Sequence, residues 1–131
     1  MIIVLDASAA VETVLQRKKG RELLQHLKDA EWVIAPGLFI PEVTNVFWKY
    51  VQFGSLSVSQ CESGVEMAVA LPDEYAEDKI LHKEAFSLAC NLGTTAYDMF
   101  YLALARRNNA HLMSLDKALY DTAARQSVRT I

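Results

Sequence analysis

Residues 1–8 read MIIVLDAS, an apolar run from Ile2 to Leu5 with an aspartate, Asp6, set directly against its C-terminal end. A continuous apolar run of this kind suits a strand buried on both faces of a parallel sheet, whereas a strand with one wet face alternates. Trp32 to Ala35 repeats the pattern, and His111 to Leu115 repeats it again with Asp116 just after it. Between these runs the period lengthens. Val43, Val46, Phe47, Tyr50 and Val51 follow the i, i+3, i+4, i+7, i+8 rule, as do Leu81, Ala85, Leu88, Ala89 and Leu92, so both segments are amphipathic helices. Pro41 opens the first of these and Gly54 closes it; Pro72 ends another helix begun near Ser57, and Gly93 closes the one ending at Leu92. Ser127 to Thr130 offers a further short strand. Strands joined by helical crossovers imply an α/β fold with a mostly parallel central sheet flanked by helices, and ligands of such sheets bind at the C-terminal edge of the strands.

No repeat, low-complexity tract or linker divides the 131 residues, which are read as a single domain, 1–131. Hydrophobic residues make up 52% and charged residues 22%. That is ordinary globular usage, with no apolar stretch long enough to cross a bilayer and no basic leader before the first strand, so the expected location is the cytoplasm. Cys61 and Cys90 stand apart in apolar contexts and read as free, buried thiols; nothing has the Cys/His spacing of a zinc site. The net charge of −3 argues against a protein that coats nucleic acid over its whole surface. A local basic group, Arg17, Lys18, Lys19 and Arg21, and another at Arg106 and Arg107 are either solvated helix ends or phosphate-steering patches.

The chemistry lies in four acids. Asp6 and Asp116 follow strands, Glu42 stands in the first turn of the helix after the second strand, and Asp98 lies at the start of the helix TTAYDMFYLALARR. Each has a structural explanation: Asp6 and Asp116 as N-caps, Glu42 as a first-turn acid, and Thr95 to Asp98 as a capping box. Taken together they need another. A cap contributes about 0.3–1 kcal/mol, whereas two carboxylates about 5 Å apart at an effective dielectric of 20 repel by about 3 kcal/mol. If the four meet, a cation belongs among them, and hard oxygen donors without His or Cys select Mg²⁺ or Mn²⁺. The other acids, Glu12, Glu22, Asp29, Glu62, Glu66, Asp73, Glu74, Glu77 and Asp78, read as solvated surface. No HExxH, GxSxG or GxxxxGK[ST] motif is present, which removes the common zinc-protease, serine-hydrolase and nucleotide-binding readings.

In order and spacing, four segments resemble the PIN-domain nucleases, and among them the VapC-type toxins of toxin–antitoxin pairs. They are IIVLDASA with Asp6 and Ser8, PEVTNVF with Glu42 and Asn45, TTAYDMFYLALA with Asp98, and HLMSLDKAL with Ser114 and Asp116. The resemblance spans essentially the whole chain. It implies a PIN-like three-layer fold and a divalent-metal site at Asp6, Glu42, Asp98 and Asp116, supported by Ser8, Asn45 and the Ser114 hydroxyl. It implies endoribonuclease activity on single-stranded or looped RNA, a homodimer, and inhibition by a small antitoxin whose tail enters the acidic groove. Two positions depart from the pattern. Ser114 stands where Thr is commoner, which keeps the hydroxyl. Lys117 and Ala118 follow Asp116 where some members carry a further acid, leaving one or two metals open.

The residues and the resemblance lead to one chemistry, metal-dependent phosphodiester hydrolysis by water. Arg17, Lys18 and Lys19 are the candidates for steering RNA. Two rivals remain: a phosphatase or phosphoacceptor domain using Asp6 as nucleophile, which wants a second acid beside it and finds Ala7 and Ser8, and a catalytically inactive PIN-fold binding module. Phe47, Trp48, Tyr50 and Phe53 give the helix from Pro41 to Phe53 more aromatic surface than one stripe needs, for an interface or for core.

Overall fold

The computed structural model describes residues 1–131. Four strands, β1 (Ile2–Leu5), β2 (Trp32–Pro36), β3 (Glu74–Ala76) and β4 (His111–Met113), form one sheet in the order β3-β2-β1-β4. Every pairing is parallel: Ile3 stands beside Val33 on one side and His111 on the other, and Ile34 beside Glu74. Ile3, Val4, Leu5, Val33, Ile34 and Leu112 are buried, as continuous apolar runs require when both faces of a sheet are covered. From β1 the chain builds outward through β2 and β3, then returns to the other flank of β1 for β4. The order therefore reverses at β1, and the carboxyl ends of β1 and β4 flank the crevice where open α/β sheets bind ligands.

Seven helices surround the sheet: α1 (Ala7–Val14), α2 (Lys18–Asp29), α3 (Phe39–Phe53), α4 (Val58–Val69), α5 (Asp78–Leu92), α6 (Ala96–Asn108) and α7 (Lys117–Arg125). The innermost is α6, which touches β1, β2 and β4 and packs against α5. Its residues Tyr101 to Ala105 are all buried, so it lacks a solvent stripe over that stretch. Helix α5 ends where Gly93 takes φ 65°, the left-handed cap for which glycine carries no Cβ penalty. Helix α4 approaches α3 closely because Gly64 faces the Phe47 ring, where a Cβ would sit 2.6 Å from the ring edge.

One strand was not anticipated, and three expectations need correction. The strand Glu74–Ala76 has no apolar run to announce it; it is a short edge strand made by backbone pairing to β2. Ser127 to Thr130 adds only a bridge between Leu112 and Thr130 rather than a strand. Two acids read as solvated surface cap backbone groups: Asp73 accepts from the Val33 N–H at 2.8 Å and Asp78 from the Leu38 N–H, ahead of α3, at 3.2 Å. Cys61 is buried as expected but Cys90 is exposed, on the outer side of α5. No helix is long and apolar enough to cross a membrane.

Candidate active site

Asp6 is 5% exposed at the end of β1, and both of its oxygens are held. Oδ1 accepts from the Ala9 N–H at 3.0 Å, the N-cap bond of α1, and from the Ser8 hydroxyl at 2.7 Å. Oδ2 accepts from the Ser114 hydroxyl at 2.5 Å. Each serine also accepts from the loop beyond β4: Ser8 Oγ from the Leu115 N–H and Ser114 Oγ from the Asp116 N–H, both at 3.0 Å. Two hydroxyls thus tie the β1 carboxylate to the β4 loop and fix the turn that presents Asp116. Asp116 caps α7 through its bond from the Leu119 N–H at 3.0 Å.

Glu42 enters from the first turn of α3. Its Oε1 accepts from the buried Tyr101 hydroxyl at 2.6 Å. Tyr101 lies one turn after Asp98 on α6, so one helix face carries both a carboxylate and the donor that orients another. The capping box at Thr95 does not form, because the Thr95 side chain makes no bond to the helix backbone. Asp98 is half-buried, and its carboxylate remains available to the crevice. Asp6, Glu42, Asp98 and Asp116 line one cavity of about 260 Å³, together with Ala7, Ser8, Asn45, Val46, Lys49 and Tyr101.

This concentration of acids has an electrostatic consequence. Burial, opposed by its hydrogen bonds, pushes the Asp6 carboxyl up to about 6, with a further push from the Asp116 charge. Burial raises Glu42 above the ordinary carboxylate range, with the Asp6 and Asp98 charges adding to it against the Tyr101 bond. Asp98 rises through burial and then through Asp116. Burial and the nearby Glu42 charge push the Tyr101 phenol far upward, so it is a permanent donor.

Burial and neighbouring acids both disfavour the ionised form of these carboxyls, a nearby cation would restore it, and an all-oxygen donor set suits a hard divalent one. No three acidic, His or Cys side chains are drawn together tightly enough to form a ligand group by themselves. Asp6 is held instead by the two serines and the Ala9 N–H, and Asp116 by the Leu119 N–H.

The basic group anticipated for RNA steering is partly committed elsewhere. Arg17 bonds Glu12 at 3.3 Å and the Tyr50 hydroxyl at 3.1 Å, with its guanidinium 5.5 Å from the Tyr50 ring centre. Lys19 pairs with Glu22 at 3.5 Å, which leaves Lys18 without an acid partner. Arg106 and Arg107 both face Glu84. Reading the sequence for chemistry missed Tyr101 and Lys49. Each was signalled by helical spacing from a selected acid: Tyr101 at i+3 from Asp98, and Lys49 at i+7 from Glu42, with Asn45 between them on the same face of α3. Of the aromatic residues on α3, Phe47 belongs to the core, while Trp48 and Phe53 are 50% and 81% exposed.

The sequence profile of the PIN domain matches residues 3–125. Ribonuclease VapC3 of Pyrobaculum aerophilum is 29% identical over 124 residues, covering 91% of this chain and 92% of that protein. Among solved structures, PAE2754 from Pyrobaculum aerophilum superposes with a TM-score of 0.76 at 20% identity, covering 93% of this chain and 84% of its own. VapBC2 from Rickettsia felis, bound to a DNA fragment from its promoter, superposes with a TM-score of 0.69 at 13% identity, covering 100% of this chain and 98% of that one. At these identities the two structures speak for the fold alone.

Proposed function

This chain belongs to the PIN-domain family, and we propose that it is a divalent-metal-dependent endoribonuclease, the toxin of a toxin–antitoxin pair. The observation that carries the reading is the convergence of Asp6, Glu42, Asp98 and Asp116, from four separate segments, on one cavity at the carboxyl edge of the sheet. The ribonuclease named VapC3 among its relatives supports RNA as the substrate, and the resemblance of the four acidic segments to VapC-type toxins supports a small protein antitoxin as partner. In this reading the cytoplasm is the site of action, where RNA and the antitoxin are found, and the protein works as a homodimer.

Asp6, Asp98 and Asp116, with Glu42, would hold Mg²⁺ or Mn²⁺. When bound, such a cation neutralises charge on the phosphate and lowers the pKa of water. The residues of the chain do the rest. Asp6 is immobilised by three donors, so it serves as a fixed anchor. Glu42 is oriented by Tyr101, and its raised pKa brings it closer to the range where a carboxylate accepts a proton effectively, which suits it to take one from the attacking water. Ser8 and Ser114 fix the relation of Asp6 to Asp116.

A phosphoacceptor role for Asp6 is disfavoured by the same bonds, because a nucleophile needs an unencumbered oxygen and a second acid beside it. The deciding experiment incubates the protein with labelled RNA and with a phosphomonoester, each in Mg²⁺ and in EDTA. RNA cleavage confined to Mg²⁺ is expected. Monoester hydrolysis would establish the phosphatase instead, and no turnover of either substrate would leave a binding module.

A further inference from the structure

The acidic cavity continues along α3 into a second groove. This one has a volume of about 420 Å³ and is lined by Val46, Lys49, Tyr50, Phe53 and Gly54. Val46 and Lys49 belong to the walls of both. One helix face therefore runs from Glu42 through Asn45 and Lys49 to Phe53, changing from acid to amide to cation to aromatic at intervals of three or four residues.

Three observations bear on what this groove takes. Lys49 borders four carboxylates and yet pairs with none, since no acid lies within salt-bridge distance of its ammonium. Phe53 is the most exposed large apolar side chain of the protein at 81%, with its ring held at right angles to Trp48, 5.9 Å away. Between the two, Tyr50 is braced by Arg17, which brings a second cation to the same wall. A free ammonium beside a bare aromatic ring, next to a site for a phosphodiester, is the composition of a single-strand nucleic-acid track: cations follow the backbone and bases stack on rings. A purely apolar partner would have no use for Lys49, and an acidic peptide none for the ring.

We propose that this groove is a subsite for the nucleotide flanking the cut, with Lys49 on its phosphate and Phe53 under its base, a contact that only an unpaired base can make. The inference rests on the nuclease reading for which phosphate is cut, but not for whether RNA binds here. The bases of a duplex are already stacked on one another and present no free face to Phe53.

The test separates binding from cleavage. Fluorescence anisotropy with a fluorescein-labelled single-stranded oligoribonucleotide, and with the same strand annealed, is measured in Ca²⁺ to suppress turnover; cleavage of the same strand is followed in Mg²⁺. The proteins are wild type, Phe53→Ala, Phe53→Leu and Lys49→Gln, none of which alters a buried side chain. Both Phe53 variants should bind the single strand roughly five- to a hundredfold more weakly, the range for losing one stacked base. Leu, which keeps apolar bulk without a π-face, should not rescue. Lys49→Gln should reduce the slope of log affinity against log salt by about 0.7, the value for one phosphate contact on a single strand.

Wild-type affinity and salt slope in these variants overturn the subsite whether or not RNA is cut, and so does equal wild-type affinity for single strand and duplex. A change of oligomeric state in Phe53→Ala with unchanged RNA affinity also overturns it, by assigning the face to a second copy of the chain. Failure of the wild type to cut RNA, with affinity still dependent on Phe53 and Lys49, sinks the nuclease reading and leaves the subsite standing.

Discussion

The Ser114 hydroxyl donates a 2.5 Å hydrogen bond to Oδ2 of Asp6 across 108 residues of sequence. It joins the carboxyl ends of the two neighbouring strands β1 and β4 at the base of the crevice. Because Ser114 also accepts from the Asp116 N–H, one oxygen sets the separation of two of the four acids.

Ser114→Ala should therefore destabilise the fold and disorder the site together. The variant leaves a buried carboxylate oxygen without its donor, which costs about 1–3 kcal/mol. Thermal melts should show the midpoint falling by several degrees, with Ser114→Thr close to wild type. A Ser114→Ala protein as stable and as active as wild type would show that the bond does no positioning.

Stability of the metal-free protein should fall as pH rises from about 4 to 6. Asp6 is raised in the folded state to about 6 from its ordinary value of 3.8. The native state thus holds the proton more tightly than the unfolded chain, and the stability this contributes is present below pH 4 and lost on ionisation. Glu42 and Asp98 shift in the same direction. Urea unfolding in EDTA across this window should show the decline, and Asp6→Asn should flatten it. An unchanged pH dependence in that variant would refute the assignment.

Asp98→Asn should abolish metal-dependent cleavage and leave the fold intact, since the side chain carries no backbone cap to lose. Glu62→Gln, on the outer face of α4, should cleave as wild type. Asp73, by contrast, is no neutral control, because its carboxylate holds the Val33 N–H of β2. Circular dichroism and an RNA digest of both variants decide the point; equal activity would remove Asp98 from the site.

Magnesium should stabilise the wild type through linkage, and Glu42→Gln much less. In EDTA the order should reverse: Gln keeps an oxygen to accept from Tyr101 while removing a charge that faces Asp6 and Asp98. A relief on the order of 1 kcal/mol would raise the midpoint by a few degrees. Melting curves that ignore Mg²⁺ in both proteins would count against the metal site.

Tyr101→Phe should lower kcat by roughly tenfold with little change in KM, as expected when a group that orients the base is removed. The Tyr101 bond lowers the Glu42 pKa, so its loss should move the acidic limb of the pH profile to higher pH. A uniformly scaled profile with an unmoved limb would reduce Tyr101 to a packing residue.

The sequence alone determined the parallel α/β sheet, because strands buried on both faces must be apolar throughout, and Ile2 to Leu5 and Trp32 to Ala35 are. It also pointed to the four acids, since Asp6, Glu42 and Asp116 stand where strands end or the next helix starts. Tertiary structure decided what local pattern does not encode. Edge strand β3 exists because β2 offers it a row of backbone groups, not because Glu74–Ala76 has a strand's composition. Asp73 and Asp78 read as surface charges until the fold brought them to the Val33 and Leu38 N–H groups. Tyr101 and Lys49 were given no role from the sequence, because neither is marked by a motif of its own. A hydrogen bond between residues 59 positions apart, as from Tyr101 to Glu42, depends on how two helices cross. Helical period says which residues share a face, but only packing says what that face meets.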